Sequence, residues 1–105
     1  MTTDWSKVKH FKPSEFTYPD QLDPLLIYSI DALRAAAGKP IKINSDYRPG
    51  DPGQHGLGKA VDLVIVGLHV MEQFFIAERT RLFAGIGIYP FWNRPGIHVD
   101  IRELQ

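Results

Sequence analysis

The chain contains no cysteine. Disulfides and thiolate metal sites are therefore excluded, and any metal must be held by histidine and carboxylate. It also lacks net charge: lysine plus arginine count 12, and so do aspartate plus glutamate, so no polyanionic partner such as nucleic acid is expected. No apolar run approaches the roughly 20 residues of a membrane span, so no membrane partner is expected either. Met1-Thr2-Thr3-Asp4-Trp5-Ser6-Lys7 has no apolar stretch of the kind a secretory leader carries, and the expectation is synthesis in the cytoplasm. Internal repeats, linkers and low-complexity tracts are missing too. The 105 residues suit a single domain over 1–105 with one core. A hydrophobic share of 44% and a charged share of 23% place it with ordinary globular proteins.

What is present has order. Residues 4–19 are irregular, with Phe11, Phe16 and Tyr18 separated by Pro13 and Pro19. The expectation is an aromatic lid across the core, with one helical turn near Pro13 or Ser14. Asp23-Pro24 is a helix start, with Asp23 as cap and Pro24 in the first helical position. Leu26, Ile30, Leu33 and Ala37 recur at helical spacing, Gly38 stops the helix and Pro40 prevents its resumption. The spacing thus predicts a helix over 24–37. Pro40-Ile41-Lys42-Ile43-Asn44-Ser45 alternates like a half-buried strand, and residues 46–53 are a loop by composition. A strand comes next, from Ala60 to Val66, then a second helix over 68–79 carrying Val70, Met71, Phe74, Phe75 and Ala77. Strands over 85–89 and 97–102, joined by a turn, have the pattern of an antiparallel hairpin, with glycines 85 and 87 leaving room for close approach. Glu103 is expected to fray. The whole reads as α+β: a small, mostly antiparallel sheet with helices on one face and a cleft on the other.

One stretch stands out: Gln54-His55-Gly56-Leu57-Gly58-Lys59-Ala60-Val61-Asp62-Leu63-Val64-Ile65. A glycine loop carrying His55 runs into an apolar strand carrying Asp62. A charge in such a run is costly to bury unless it is paired or coordinates a metal. In the last strand Ile97, Val99 and Ile101 face one way while His98, Asp100 and Arg102 face the other. Two histidines and one aspartate are a reasonable ligand set for a catalytic zinc, whose fourth position is left to water. The spacing from His55 to Asp62 is not that of the helical His-Glu-x-x-His motif, so the loop must fold back, and Gly53, Gly56 and Gly58 allow positive φ for that purpose. The blander alternatives are a glycine turn with an incidental histidine, and a solvated outer strand face. His10 and His69 read as surface residues. Tyr89 and Trp92 suit either a cleft wall or hairpin packing.

The pattern His-x-x-Gly-x-Ala-x-Asp at 55–62, with His98-Val99-Asp100 near the C-terminus, resembles the zinc D-alanyl-D-alanine carboxypeptidases. Their relatives include phage L-alanyl-D-glutamate endolysins and the hedgehog signalling domain. Similarity extends over most of the chain: Phe11-Lys12-Pro13-Ser14-Glu15-Phe16, Leu33-Arg34, Gly38 to Arg48 with its Ser45-Asp46-Tyr47-Arg48 segment, and Gly85-Ile86-Gly87-Ile88-Tyr89-Pro90. The resemblance implies zinc held by His55, Asp62 and His98. It further implies that Arg48 binds a substrate carboxylate, a task suited to a guanidinium fork, with Tyr89 beside the substrate. It implies hydrolysis of a peptide bond in bacterial cell-wall peptidoglycan, at or beside a D-amino acid, by a monomer, as carboxypeptidase or endopeptidase. Access to the wall would then need help, for example from a phage lysis system. Two positions depart from the pattern. Gly53 replaces a serine, which should matter little to the metal. Pro95 stands where many relatives carry the acid that serves as general base. Asp100 is then either the substitute base or a partner that orients a ligand histidine. The rival readings are a catalytically inactive zinc-containing binding module and a structural phage component.

Overall fold

Asp23 caps the first helix as its sequence predicts: its carboxylate accepts the Leu25 N–H at 2.9 Å. The helix, α1, spans Pro24–Ala37 and ends at Gly38, which takes the left-handed conformation with φ 62°. Leu26, Ile30 and Leu33 are fully buried along it. The structure is a computed structural model, and it describes residues 2–102; Glu103 lies outside them. The second helix, α2, spans Val70–Thr80, two residues short of its expected start. His69 explains the difference, because its Nδ1 accepts the Met71 N–H at 3.1 Å and so caps the helix rather than joining it. Val70 and Ala77 are buried, whereas Met71 and Phe75 are exposed.

Four strands, β1 (Ile41–Ser45), β2 (Ala60–Ile65), β3 (Gly85–Tyr89) and β4 (Gly96–Asp100), form one sheet in the order β1-β2-β4-β3. Every pairing is antiparallel. The chain is therefore α+β, as expected, and the hairpin of β3 and β4 is present. β2 stops at Ile65 and β4 at Asp100, shorter than the alternation suggests but within the usual scatter of strand ends. Strand side chains alternate. Val61, Leu63, Ile65, Ile97 and Val99 therefore turn to one face, where they join Leu26, Ile27, Ile30, Leu33, Val70 and Ala77 in a single core. Asp62, His98 and Asp100 turn to the other.

Among the described residues, the segment before α1 has no regular element longer than three residues, only 3-10 turns at Trp5–Lys7, Pro13–Glu15 and Pro19–Gln21. Phe11 and Phe16 nevertheless bury their rings in the core, while Tyr18 stays exposed and meets Tyr47 edge-on. The lid is thus built from Phe11 and Phe16 together with Leu22. Two buried carboxylates hold it down. Asp31 accepts the N–H groups of Lys9 and His10 at 3.0 and 2.7 Å. Asp46 accepts those of Thr17 and Tyr18 at 2.7 and 3.2 Å.

Candidate metal centre

Strand register brings the two strand-borne site residues together. Asp62 on β2 lies directly opposite His98 on β4, and Gly87 on β3 lies opposite His98 from the other side. The register of β1 shifts between Ile43 and Ser45, so that Ser45 comes to face Asp62. Such an irregularity bends a strand and re-aims the chain beyond it. The segment so redirected is the loop of Asp46, Tyr47 and Arg48, which passes beside Asp62.

His55 comes from a short 3-10 turn at Gln54–Leu57. The backbone pins this turn at several points. Arg48 N–H and Gly58 N–H both donate to the His55 carbonyl, and Lys59 N–H donates to the Gln54 carbonyl. Of the three glycines in the loop, only Gly58 has a positive φ, 70°. Gly56 is required for a different reason than the one expected: a Cβ there would lie 2.8 Å from the Asp51 carbonyl carbon and nearer still to its oxygen. Two stretches of backbone cross in contact, and only a glycine fits between them.

The three side chains converge on one atom. His55 Nε2 is 3.2 Å from Asp62 Oδ1, and His98 Nδ1 is 3.1 Å from the same oxygen. The two imidazole rings stand 5.1 Å apart, edge to face. His55 and Asp62 are buried and His98 is half-buried. One donor atom from each of the three residues falls within 4.8 Å of the others, so the group could hold a metal ion. The far nitrogens are fixed as well. His55 Nδ1 lies 2.8 Å from the Asp46 carbonyl oxygen. A carbonyl can only accept, so the proton of a neutral His55 sits on Nδ1 and Nε2 presents its lone pair to the cluster. His98 Nε2 lies 2.8 Å from Asp100 Oδ2. Lone pairs of two imidazoles facing one carboxylate oxygen repel unless protons or a cation lie between them. The donor set fits a metal on that ground.

Electrostatics agree with the geometry. Burial pushes the Asp62 carboxyl up, but the hydrogen bond from His98 and the charges of His55, His98 and Arg48 outweigh it, and the group stays below the usual carboxylate range. The hydrogen bond to Asp62 raises the His98 imidazole; burial opposes this, and Asp100 adds to the rise. Asp100 is also pushed up by burial, yet the hydrogen bonds from Arg102 and His98 bring it down to about 2.

The cluster lies in a cleft of about 470 Å³ whose walls include Arg48, Asp51, Gln54, Tyr89, Trp92 and Arg102. Arg48 donates to Asp62 Oδ2 at 2.7 Å and to Ser45 Oγ at 3.0 Å, with Asp51 Oδ2 at 3.7 Å, while its side chain remains 46% exposed. Tyr89 stacks flat on Trp92, ring centroids 4.6 Å apart, so the pair packs together and lines the cleft as well. Asp100 does neither of the things expected of a base facing the cleft: it is fully buried and absent from the cleft wall. His10 and His69 lie on the surface, away from the cluster. Sequence reasoning missed the Asp46 carbonyl, which carries no side-chain signal, and Asp51, a loop aspartate among several. It had Arg102 on the right face but gave it no task. Comparison with known protein families, known proteins and solved structures finds no match for this chain.

Proposed function

We propose that the chain is a zinc peptidase acting on D-amino-acid-containing peptides of bacterial peptidoglycan, as a carboxypeptidase or endopeptidase. The observation that carries this reading is the meeting of His55 Nε2, His98 Nδ1 and Asp62 Oδ1 in an open cleft. Three protein ligands with an open side are the arrangement of a catalytic rather than a structural zinc, which is closed by four. His55, Asp62 and His98 would hold the ion. When bound, zinc would supply a lowered pKa for its water and polarisation of the scissile carbonyl.

The chain's own residues supply the rest. A guanidinium has five N–H donors, and Ser45 and Asp62 occupy only part of the Arg48 set. The exposed remainder suits it to a substrate carboxylate, gripped in two-pronged fashion. Tyr89 and Trp92 give the cleft an apolar surface for the flanking residue. Pro95 offers no proton acceptor, and Asp100 is enclosed behind His98. Asp51 lines the cleft beside Arg48, and we assign to it the acceptance of a proton from the attacking water.

The experiment is mass spectrometry of peptidoglycan fragments after incubation with the zinc-loaded protein, with His98→Ala as control. Release of peptide or D-amino acid by the wild type alone, together with one zinc per chain lost in His98→Ala, is the expected result. Zinc bound without any release supports the rival of a metal-containing binding module or structural phage component. Equal zinc in both proteins after dialysis places the metal elsewhere.

A further inference from the structure

We infer that Asp100 and Arg102 form a positioning pair that locks the imidazole of His98, with Nδ1 presented to the metal and a proton held on Nε2. This rests on the metal reading above and deepens it. Asp100 is 0% exposed, the most enclosed charged group in the core. A buried carboxylate persists only where its oxygens are satisfied, and here both are. Arg102 donates from Nε to Oδ1 at 2.8 Å, from Nη2 to Oδ2 at 2.6 Å, and from its backbone N–H to Oδ1 at 3.2 Å. The same Oδ2 lies 2.8 Å from His98 Nε2. An ionised carboxylate only accepts, so once a metal takes the Nδ1 lone pair the proton of a neutral His98 sits on Nε2, held by Asp100. Without the metal, Asp62 at 3.1 Å from Nδ1 competes with Asp100 at 2.8 Å from Nε2 for that proton. A carboxylate on the far nitrogen of a ligand histidine fixes ring orientation and makes the ligand more basic. The nitrogen that Asp100 holds is the one turned away from Asp62 Oδ1, which is why Asp100 orients rather than takes protons in the cleft.

The opposite strand is shaped for this pair. Gly85 on β3 lies across from Asp100. A Cβ at Gly85 would fall 2.8 Å from both Asp100 Cγ and Arg102 Nη2, and closer still to Asp100 Oδ2. The absent side chain of residue 85 is the space in which the carboxylate and guanidinium meet. Gly85 therefore acts on the metal centre through two intermediaries, without touching it.

The test compares wild type with Asp100→Ala, Arg102→Ala and Gly85→Ala by two measurements. One is zinc affinity by competition with a chromophoric chelator. The other is the 15N signature of His98, read in the metal-free protein at a pH where the ring is neutral. In the wild type Nε2 should hold the larger share of the proton, Asp100 being nearer to the ring than Asp62. In Asp100→Ala the proton should move to Nδ1, where Asp62 is the acceptor that remains, and zinc affinity should fall by about 10–100-fold. Arg102→Ala and Gly85→Ala should move both readouts in the same direction by smaller factors. Arg102 has a half-exposed side chain, so its variant keeps the proposal falsifiable if Asp100→Ala does not fold. A wild-type tautomer with wild-type affinity in Arg102→Ala or Asp100→Ala overturns the inference. A wild type that binds no zinc overturns the metal reading instead, while the metal-free tautomer still decides this one.

Discussion

Gly56→Ala adds one methyl group and should separate stability from metal binding in an informative way. The methyl carbon would sit 2.8 Å from the Asp51 carbonyl carbon and 3.3 Å from its Cα, with the oxygen nearer than either. The neighbour is backbone, so no side-chain rotation relieves the overlap, and the two chain segments must part by more than about 1 Å to reach ordinary contact. The bonds resisting that are those of the Gly56 N–H to Gly53, the Asp51 N–H to Arg48 and the Arg48 N–H to His55. Losing one or two of them at about 0.5–1.5 kcal/mol each, with overpacking strain of comparable size, gives a destabilisation of about 1–3 kcal/mol. The fold should survive, because the core lies on the opposite face of the sheet. His55 should not keep its place, and a site displaced by more than about 0.5 Å no longer fits its task. Zinc affinity should therefore fall at least as far as the ~10–100-fold expected when a ligand loses its orienting partner. Gly67→Ala is the control. Gly67 has φ 88° with nothing within 4 Å of its Cβ position. It should cost about 1–2 kcal/mol of strain and leave zinc binding alone. Urea unfolding and chelator competition on the same preparations measure both quantities. A Gly56→Ala protein that binds zinc like the wild type would refute this account of the loop.

Two other outcomes are expected of the site. Asp51→Asn should keep its zinc and lose turnover by about 10²–10⁴-fold, as expected for loss of a general base; unaltered turnover on peptidoglycan removes Asp51 from that role. In the metal-free protein, Asp62 and Asp100 have depressed pKa values, so their stabilisation is full above the ordinary 3.8 and lost as pH falls, toward about 2 for Asp100. His98 runs the other way: its raised value means that its contribution is full below 6.5 and lost as pH rises through the folded value. Allowing for solvent screening at the exposed end of Arg102, Asp100 should account for roughly 1–2 kcal/mol on the acid side. Asp100→Asn should flatten that limb in urea titrations of the chelated protein, and an unchanged slope speaks against the pairing.

Much of the fold was legible because local chemistry and tertiary packing agree. Asp23-Pro24 and Gly38 bound α1 at both ends, and the alternation of Ile97-His98-Val99-Asp100 sorts core from cleft without knowledge of any partner strand. His55, Asp62 and His98 were also readable, since a carboxylate within an apolar strand demands a reason. The illegible parts depend on contacts distant in sequence. Nothing in the sequence orders β4 between β2 and β3, or shifts the register at Ser45. Asp31 and Asp46 look like ordinary polar residues until their backbone partners, more than twenty residues away, are in place. The role of Asp100 depends on whether it is enclosed, and that is settled by Arg102 and by the missing side chain of Gly85. The glycines of the His55 loop are legible through φ, the variable visible one residue at a time, whereas at Gly56 the controlling quantity is the distance between two stretches of backbone.

Asp46 serves two masters. Its carboxylate holds the amides of Thr17 and Tyr18, and its own carbonyl holds Nδ1 of His55. The irregular segment before α1, none of whose described residues lines the cleft, is in this way a tenant of the same hinge post as the His55 loop. A change that unseats the segment frees the Asp46 backbone to turn, and with it the tautomer of a histidine on the far side of the residue. Trimming that segment, though it touches no cleft residue, would loosen His55, whose own surroundings had not been altered.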